Sequence, residues 1–374
     1  MRTPALLLGA AVATAAQPLA AQPGALVARI DSAVPALLRE ANAPGAAVAM
    51  VEGGRIVLAR GYGVANVATG ARFTARTPLN VASVSKAVTA LGAMRLWREG
   101  RLPLDAPVNS LARRWRLPDG AAPAESVTVR RLLSHTAGVG IGAVPWFRAD
   151  SAAPSLLEVL DGRAGDRGPL RIEAAPGAAW RYSGGGYTLL QLVMEDVTGE
   201  RFEAWMERAV LRPLGMREST FGTARPGAAV GYDEAGNPVP AYRFVGTSAG
   251  GLWTSADDFA RLMRAYARAW SGTDRRVIGR AELDQVARPM AAVTLEGVSG
   301  ATYGLGHGTH RAPDGRTYVY HSGGNPGARA YFIVSPDRGD GVFVATNSDN
   351  GVPVITRVLQ IWGDAHGGGL PPLF

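Results

Sequence analysis

The feature that most constrains this chain is the placement of its strand-forming segments at both ends of the sequence, around a long helical middle. Near the start, "GAAVAMVEGGRIVLARGYG" is two apolar β-type runs around Glu52-Gly53-Gly54, a hairpin signal. From about Val293 onward the texture returns to strands in "ATYGLGHG", "RTYVYHSGG", "ARAYFIVSP" and "GVFVATNS". Between about Arg101 and Arg288 the pattern is mostly helical, with long Pro/Gly loops. "YTLLQLVMEDVTG" and "RFEAWMERAVL" read as amphipathic helices parted by Gly199, and "SADDFARLMRAYARAW" as another, capped by Ser255. The simplest architecture is an α/β (α+β) fold with one antiparallel sheet built from both chain ends. Helices flank that sheet and a mostly helical lobe is inserted between its first and later strands.

Two terminal helices are expected to pack on the sheet. "ALVARIDSAVPALLREA" places Val27, Ile30, Val34 and Leu37 at helical spacing, with Pro35 positioned to start or kink the helix. "GVPVITRVLQIWGDA" closes the chain. The expected organisation is a leader over 1–21, an α/β lobe over 22–100, a helical lobe over 101–290, and the rest of the α/β lobe over 291–374. The 374 residues exceed what one simple core usually holds. A cleft between the lobes is the expected ligand site.

The leader, "MRTPALLLGAAVATAAQPLAAQPG", has the form of a secretory signal: Arg2, an apolar run from Ala5 to Ala16 too short to span a bilayer, and small residues up to a cleavage site after about Ala21. It implies a periplasmic or secreted protein, and no later segment resembles a membrane span. There is no Cys, which excludes disulfides, thiolate nucleophiles and Cys-ligated zinc. The formal net charge of +8 raises nucleic acid as a partner, but no recognition motif accompanies the Arg clusters, and none is expected.

Among 39 Lys and Arg residues a single one is Lys, at position 86 in "VASVSKAVTA". Arg cannot give up its proton in a protein, whereas burial or a neighbouring cation lowers a Lys amine enough for it to act as a base. Chance in an Arg-biased composition is the other explanation, and the surroundings decide. Ser83 and Lys86 stand three apart at a helix start, where the amine reaches the hydroxyl. A Ser hydroxyl needs such a base to become nucleophilic, and the Ser83 backbone N–H at the helix start is aimed at a developing oxyanion.

Two further segments join this pair. In "WRYSGGGY" the phenol of Tyr182 precedes a Gly run and a helix; it can relay protons where neighbouring cations lower its pKa, or simply pack. In "HSGGNPG" His321 ends a β-run and opens a Gly-rich turn at which Gly324 can supply a second oxyanion N–H.

In this order the three pieces resemble the β-lactamase-related serine hydrolases. These include class C β-lactamases, penicillin-binding D,D-peptidases, D-amino-acid peptidases and family VIII esterases. "RRLLSHTAGV", "VLRPLGM" and "SAGGLWTSADDFARLM" are similar to recurring stretches of that superfamily. The resemblance implies a serine β-lactamase/D,D-peptidase-like fold and an acyl-enzyme mechanism without a metal or cofactor. By the same resemblance Ser83 is the nucleophile, Lys86 its proton-accepting partner, and Tyr182 a member of the relay. His321 stands at the third motif, and the N–H groups of Ser83 and Gly324 form the oxyanion hole beside Ser322 and Gly323. The implied substrate is a small ester, amide or peptidoglycan-like molecule; oligomeric state has no signature here.

Two departures bear on the substrate. The second motif commonly reads Tyr-x-Asn, and here Gly184 replaces the Asn; the third carries His321 where class C enzymes have Lys. An amide and a fixed cation are both missing, which fits esters or D-amino-acid substrates better than β-lactams. Other candidates are weaker. "GTSAG" matches a G-x-S-x-G nucleophile elbow at Ser248, but the helix it requires begins only near Ser255. His307 and His310 in "GHGTH" lack acidic partners and read as exposed strand-end residues, and His135 as a hydrogen-bonded loop residue.

Overall fold

The computed structural model describes residues 23–140, 145–164, 168–293, 300–368 and 370. The leader over 1–21 and parts of the Gly140–Arg171 stretch lie outside them. The strand segments of the two chain ends meet in one nine-stranded antiparallel sheet. Its order is Ala71–Arg72, Arg55–Asn66, Gly45–Glu52, Asp340–Thr346, Ala328–Ser335, Thr317–Asn325, Gly308–Arg311, Thr302–Tyr303 and Ala291–Ala292. The seam between the ends is the pairing of Gly45–Glu52 with Asp340–Thr346, from Ala46 opposite Thr346 to Val51 opposite Gly341.

Gly45–Glu52 is apolar at nearly every position because both of its faces are covered. Ala46, Val48 and Met50 pack into one core with the terminal helices Pro23–Glu40 and Val352–Ala365. Ala47, Ala49 and Val51 face the second, larger core, which continues into the inserted lobe. On that side the helix Ala256–Trp270 covers the sheet, with the ring of its Phe259 stacked 4.0 Å from that of Phe343. The first helix buries Leu26, Ile30, Val34 and Leu38, so its stripe runs one residue off the expected Val27 and Leu37, which are half-buried. Pro35 neither starts nor ends it; the ring is exposed, so the carbonyl freed by the missing N–H is not sealed in the core.

After Ala71–Arg72 the chain leaves the sheet and rejoins it at Ala291–Ala292. Within that excursion Leu79–Asn80, Leu252–Thr254 and Thr220–Phe221 form a three-stranded sheet. It leads directly into the helix Ser85–Arg98, which is buried continuously from Ser85 to Met94 and ends before Gly100 at φ +70°. The strand Thr317–Asn325 pairs with Gly308–Arg311 only as far as Tyr320, and with Ala328–Ser335 from Val319 to Asn325. From His321 onward it has no strand partner on the Gly308–Arg311 side among the described residues.

Candidate active site

Ser83 sits in a 3₁₀ turn, Ala82–Val84, that runs into Ser85–Arg98. Ala82 has φ +48°, a left-handed conformation that an L side chain adopts only under constraint. The constraint is a set of hydrogen bonds, several from elements distant in sequence. Asn80 Oδ1 accepts from the Ala82 N–H (2.9 Å), Val81 N–H donates to Leu252 O (3.1 Å), and Ser85 Oγ donates to Ala82 O (2.5 Å) while accepting from Leu252 N–H (2.9 Å). Asn325, just past the third motif, ties in through Nδ2 to Asn80 Oδ1 (2.6 Å) and Gly250 O (3.1 Å). The result is a half-buried Ser83 held at the start of a buried helix.

Lys86 follows one turn later and is only 2% exposed. Its Nζ donates to Ser83 Oγ (3.1 Å) and to the carbonyl oxygen of Ala249 (2.6 Å). The rings of Tyr182 and Tyr187 lie 4.8 and 5.6 Å away. Burial brings the amine down from an ordinary 10.5 to about 7. An amine that loses its proton here still donates to Ala249 O and is free to accept from the Ser83 hydroxyl.

Tyr182 reaches the same serine, to which its phenol is hydrogen-bonded. The sequence left this phenol either to relay protons where cations lower it or simply to pack, and the shift is upward. Burial raises it, and the bond with Ser83 opposes that only in part. Tyr182 is therefore a neutral O–H donor, and the group poised to accept a proton near neutrality is Lys86.

His321 is buried beside this pair, its ring 6.4 Å from that of Tyr182. Burial, and then the charge of Lys86, lower it to about 3. Both ring nitrogens are engaged, Nδ1 with Ser322 O (2.5 Å) and Nε2 with the hydroxyl of Tyr303 (3.0 Å). It is thus a neutral imidazole, without the fixed charge that a Lys would carry. Along the same strand Gly323 packs directly behind the nucleophile turn: a Cβ there would overlap Val81 O and stand 3.0 Å from Ser83 N. Ser322 and Gly324 alternate to the opposite face, where they line a cavity of about 330 Å³ with Arg329 and Leu359. The backbone of Gly324 belongs to the stretch unpaired on one edge.

The "GTSAG" segment is a single short turn, Thr247–Gly250, in which Ser248 is fully buried and its Oγ donates to Tyr187 O (2.8 Å). Its contribution to the site is the Ala249 carbonyl that holds Lys86, a backbone atom that no residue pattern announces. His307 corrects the expectation of an exposed histidine. It is fully buried, bonded to Tyr266 (2.6 Å) and Leu305 O (2.9 Å), and lowered to about 4 by burial. His310 is half-buried beside Tyr318. His135 is a hydrogen-bonded loop residue, as read, but it lies against Tyr182, with ring centroids 4.3 Å apart. Among the described residues one set of potential metal ligands gathers, Glu52, Asp340 and His366, remote from Ser83 in sequence and engaged with one another or with backbone. Beside Asn80 a mainly apolar cavity of about 360 Å³ is walled by Ala149, Val230, Tyr242, Trp253 and Pro326.

The model of the Beta-lactamase family matches residues 30–362. The curated esterase EstB of Burkholderia gladioli is 34% identical over 231 residues, 58% of this chain and 56% of that protein; the chain thus spans little more than half the length of this relative. Among solved structures, the octameric penicillin-binding protein homologue from Pyrococcus abyssi is 26% identical with a TM-score of 0.76, covering 92% of this chain and 78% of that one. SurE, solved with D-Leu, is 28% identical with a TM-score of 0.74, covering 94% and 78%.

Proposed function

The chain belongs to the Beta-lactamase family, and from that premise we propose that it is an exported serine hydrolase acting through a Ser83 acyl-enzyme on esters or D-amino-acid-type amides. The observation that carries the reading is the Lys86 amine, buried, brought down to about 7, and 3.1 Å from Ser83 Oγ. In the proposed cycle Lys86 takes the Ser83 proton as Oγ attacks the substrate carbonyl carbon. The oxyanion forms against the N–H groups of Ser83 and Gly324, and Tyr182 gives its phenol proton to the departing alkoxide or amine while regaining the one that Lys86 took from Ser83. Water then attacks the acyl-enzyme by the reverse relay and releases the acid. None of these steps asks for a metal or cofactor. Export to the periplasm or medium rests on the composition of the leader alone.

Esters are the favoured substrates within this reading. A substrate carboxylate, as on a β-lactam or a D-Ala-D-Ala terminus, would meet the neutral imidazole of His321 instead of a cation, and Gly184 offers no amide to a substrate amide. EstB, similar to this chain over 231 residues, is named as an esterase. The second reading, a D,D-carboxypeptidase, class C-like β-lactamase or non-turnover penicillin-binding sensor, is favoured by the name of the matching family and by the names of the structural relatives. The test is a panel of p-nitrophenyl acetate and butyrate, nitrocefin and D-amino-acid p-nitroanilides on the purified protein. The short esters should show the highest kcat/KM; nitrocefin turned over faster than either ester would overturn the ester assignment.

A further inference from the structure

Nothing in the three motifs explains how the Tyr182 phenol is kept on Ser83, since it lies on an irregular segment ahead of the helix Gly184–Thr198. The grip comes from another part of the chain. His135 O accepts from the Arg181 N–H (2.7 Å), and His135 Nδ1 accepts from the Ser183 N–H (3.1 Å). One residue thus binds the peptide groups on both sides of Tyr182, while its ring lies against the Tyr182 ring at 4.3 Å and 37°.

His135 is also a locally costly choice. It follows the short helix Val129–Leu133 with φ +57°, where Gly or Asn would be easier. Because Nδ1 accepts, the ring proton resides on Nε2, which is buried without a partner among the described residues. The strained backbone and the unpaired buried N–H both cost local stability, so local stability does not account for His135 at this position.

We propose that His135 is the positioning residue of Tyr182: its carbonyl and Nδ1 clamp the backbone on either side of the tyrosine and its ring sets the phenol's angle onto Ser83. This rests on the reading of Tyr182 as the proton relay. Its effect should therefore run through Tyr182 and fall on kcat.

The test compares His135→Phe, His135→Asn, Tyr182→Phe and the His135→Phe/Tyr182→Phe double variant on a short p-nitrophenyl ester. Rates are counted per active site by fluorophosphonate labelling of Ser83, with melting temperatures alongside. Phe keeps a ring and loses the acceptor. Asn keeps an acceptor near the Nδ1 position and tolerates the left-handed backbone. His135→Phe should lower kcat about 10–100-fold with KM within about threefold, the scale of a misplaced catalytic group. His135→Asn should recover to within about fivefold of the wild type. In the Tyr182→Phe background His135→Phe should cost little more, because the two act as a unit. Should His135→Phe fail to fold, His135→Leu takes its place, since it too lacks an acceptor for the Ser183 N–H. A kcat within threefold of wild type for the acceptor-less variant, or an undiminished loss in the Tyr182→Phe background, overturns the proposal. An active Tyr182→Phe enzyme would instead overturn the relay on which it rests.

Discussion

Replacing Lys86 by Met is the most searching perturbation of the site, because it joins catalysis to stability. The Lys86 amine titrates at about 7 in the folded protein and near 10.5 when exposed, so burial disfavours its charged form by roughly 5 kcal/mol, at about 1.4 kcal/mol per pKa unit. Between those two values the unfolded chain holds a proton that the folded chain lacks. Stability from this group therefore rises with pH, by up to about 1.4 kcal/mol per unit above pH 7. Lys86→Met keeps an unbranched side chain and removes the titration. It forfeits a pH-independent amount for the bonds to Ser83 and Ala249 O. The stability of wild type relative to the Met variant should accordingly climb by several kcal/mol from pH 6 to pH 10. Lys86→Arg, which cannot shed its proton, should show no such climb, and its kcat/KM should fall ~10²–10⁴-fold, nearly as far as in Lys86→Met. Urea unfolding at each pH and kcat/KM on p-nitrophenyl butyrate are the two measurements. A wild-type–Met difference that stays flat up to pH 10 would show that the amine keeps its proton. An Arg variant with more than about a tenth of wild-type activity would show that no base is needed.

Two other outcomes follow from the packing. A fluorophosphonate probe should label the peptide carrying Ser83 and leave the peptide carrying Ser248 free, because Ser248 is fully buried and its Oγ is committed to Tyr187 O; mass spectrometry locating the adduct on Ser248 would reverse the assignment of nucleophile. Gly323→Ala should lower kcat at least tenfold or abolish folding, since its Cβ would overlap Val81 O beside the nucleophile turn; a folded variant of wild-type activity would mean that the strand and turn separate at no cost.

The fold was readable where a local pattern and a global need coincide. The two apolar β-runs around Glu52-Gly53-Gly54 pair as a hairpin, and the Ser255 cap begins Ala256–Trp270 as its sequence says. The candidate site was readable where chemistry demands a residue type: a lone Lys, a Ser three positions before it, a Tyr before a helix. What stayed illegible depends on burial and on backbone atoms. The Ala249 carbonyl acts through a peptide group, which leaves no mark on residue identity, and the proposed His135 clamp joins residues 48 positions apart in the sequence. His307 looked exposed because its partner Tyr266 is 41 positions away. The direction of the Tyr182 shift was left open by the sequence because it is set by burial, which the hydrogen bond with Ser83 opposes only in part.

The seam between the two chain ends has a consequence for how the protein comes into being. Asp340–Thr346 lies between Gly45–Glu52 and Ala328–Ser335, so the sheet closes only after the chain has been made through Thr346. At about 5–20 residues per second, the early hairpin waits tens of seconds for its central neighbour. Throughout that wait one edge of an almost wholly apolar strand stands open, a ready template for mispairing with other nascent chains. A polypeptide ending before Asp340 would contain Ser83, Lys86, Tyr182 and His321, yet lack the strand that joins the hairpin to the third motif. Assembly of the candidate site in this architecture therefore reports that synthesis has passed Thr346.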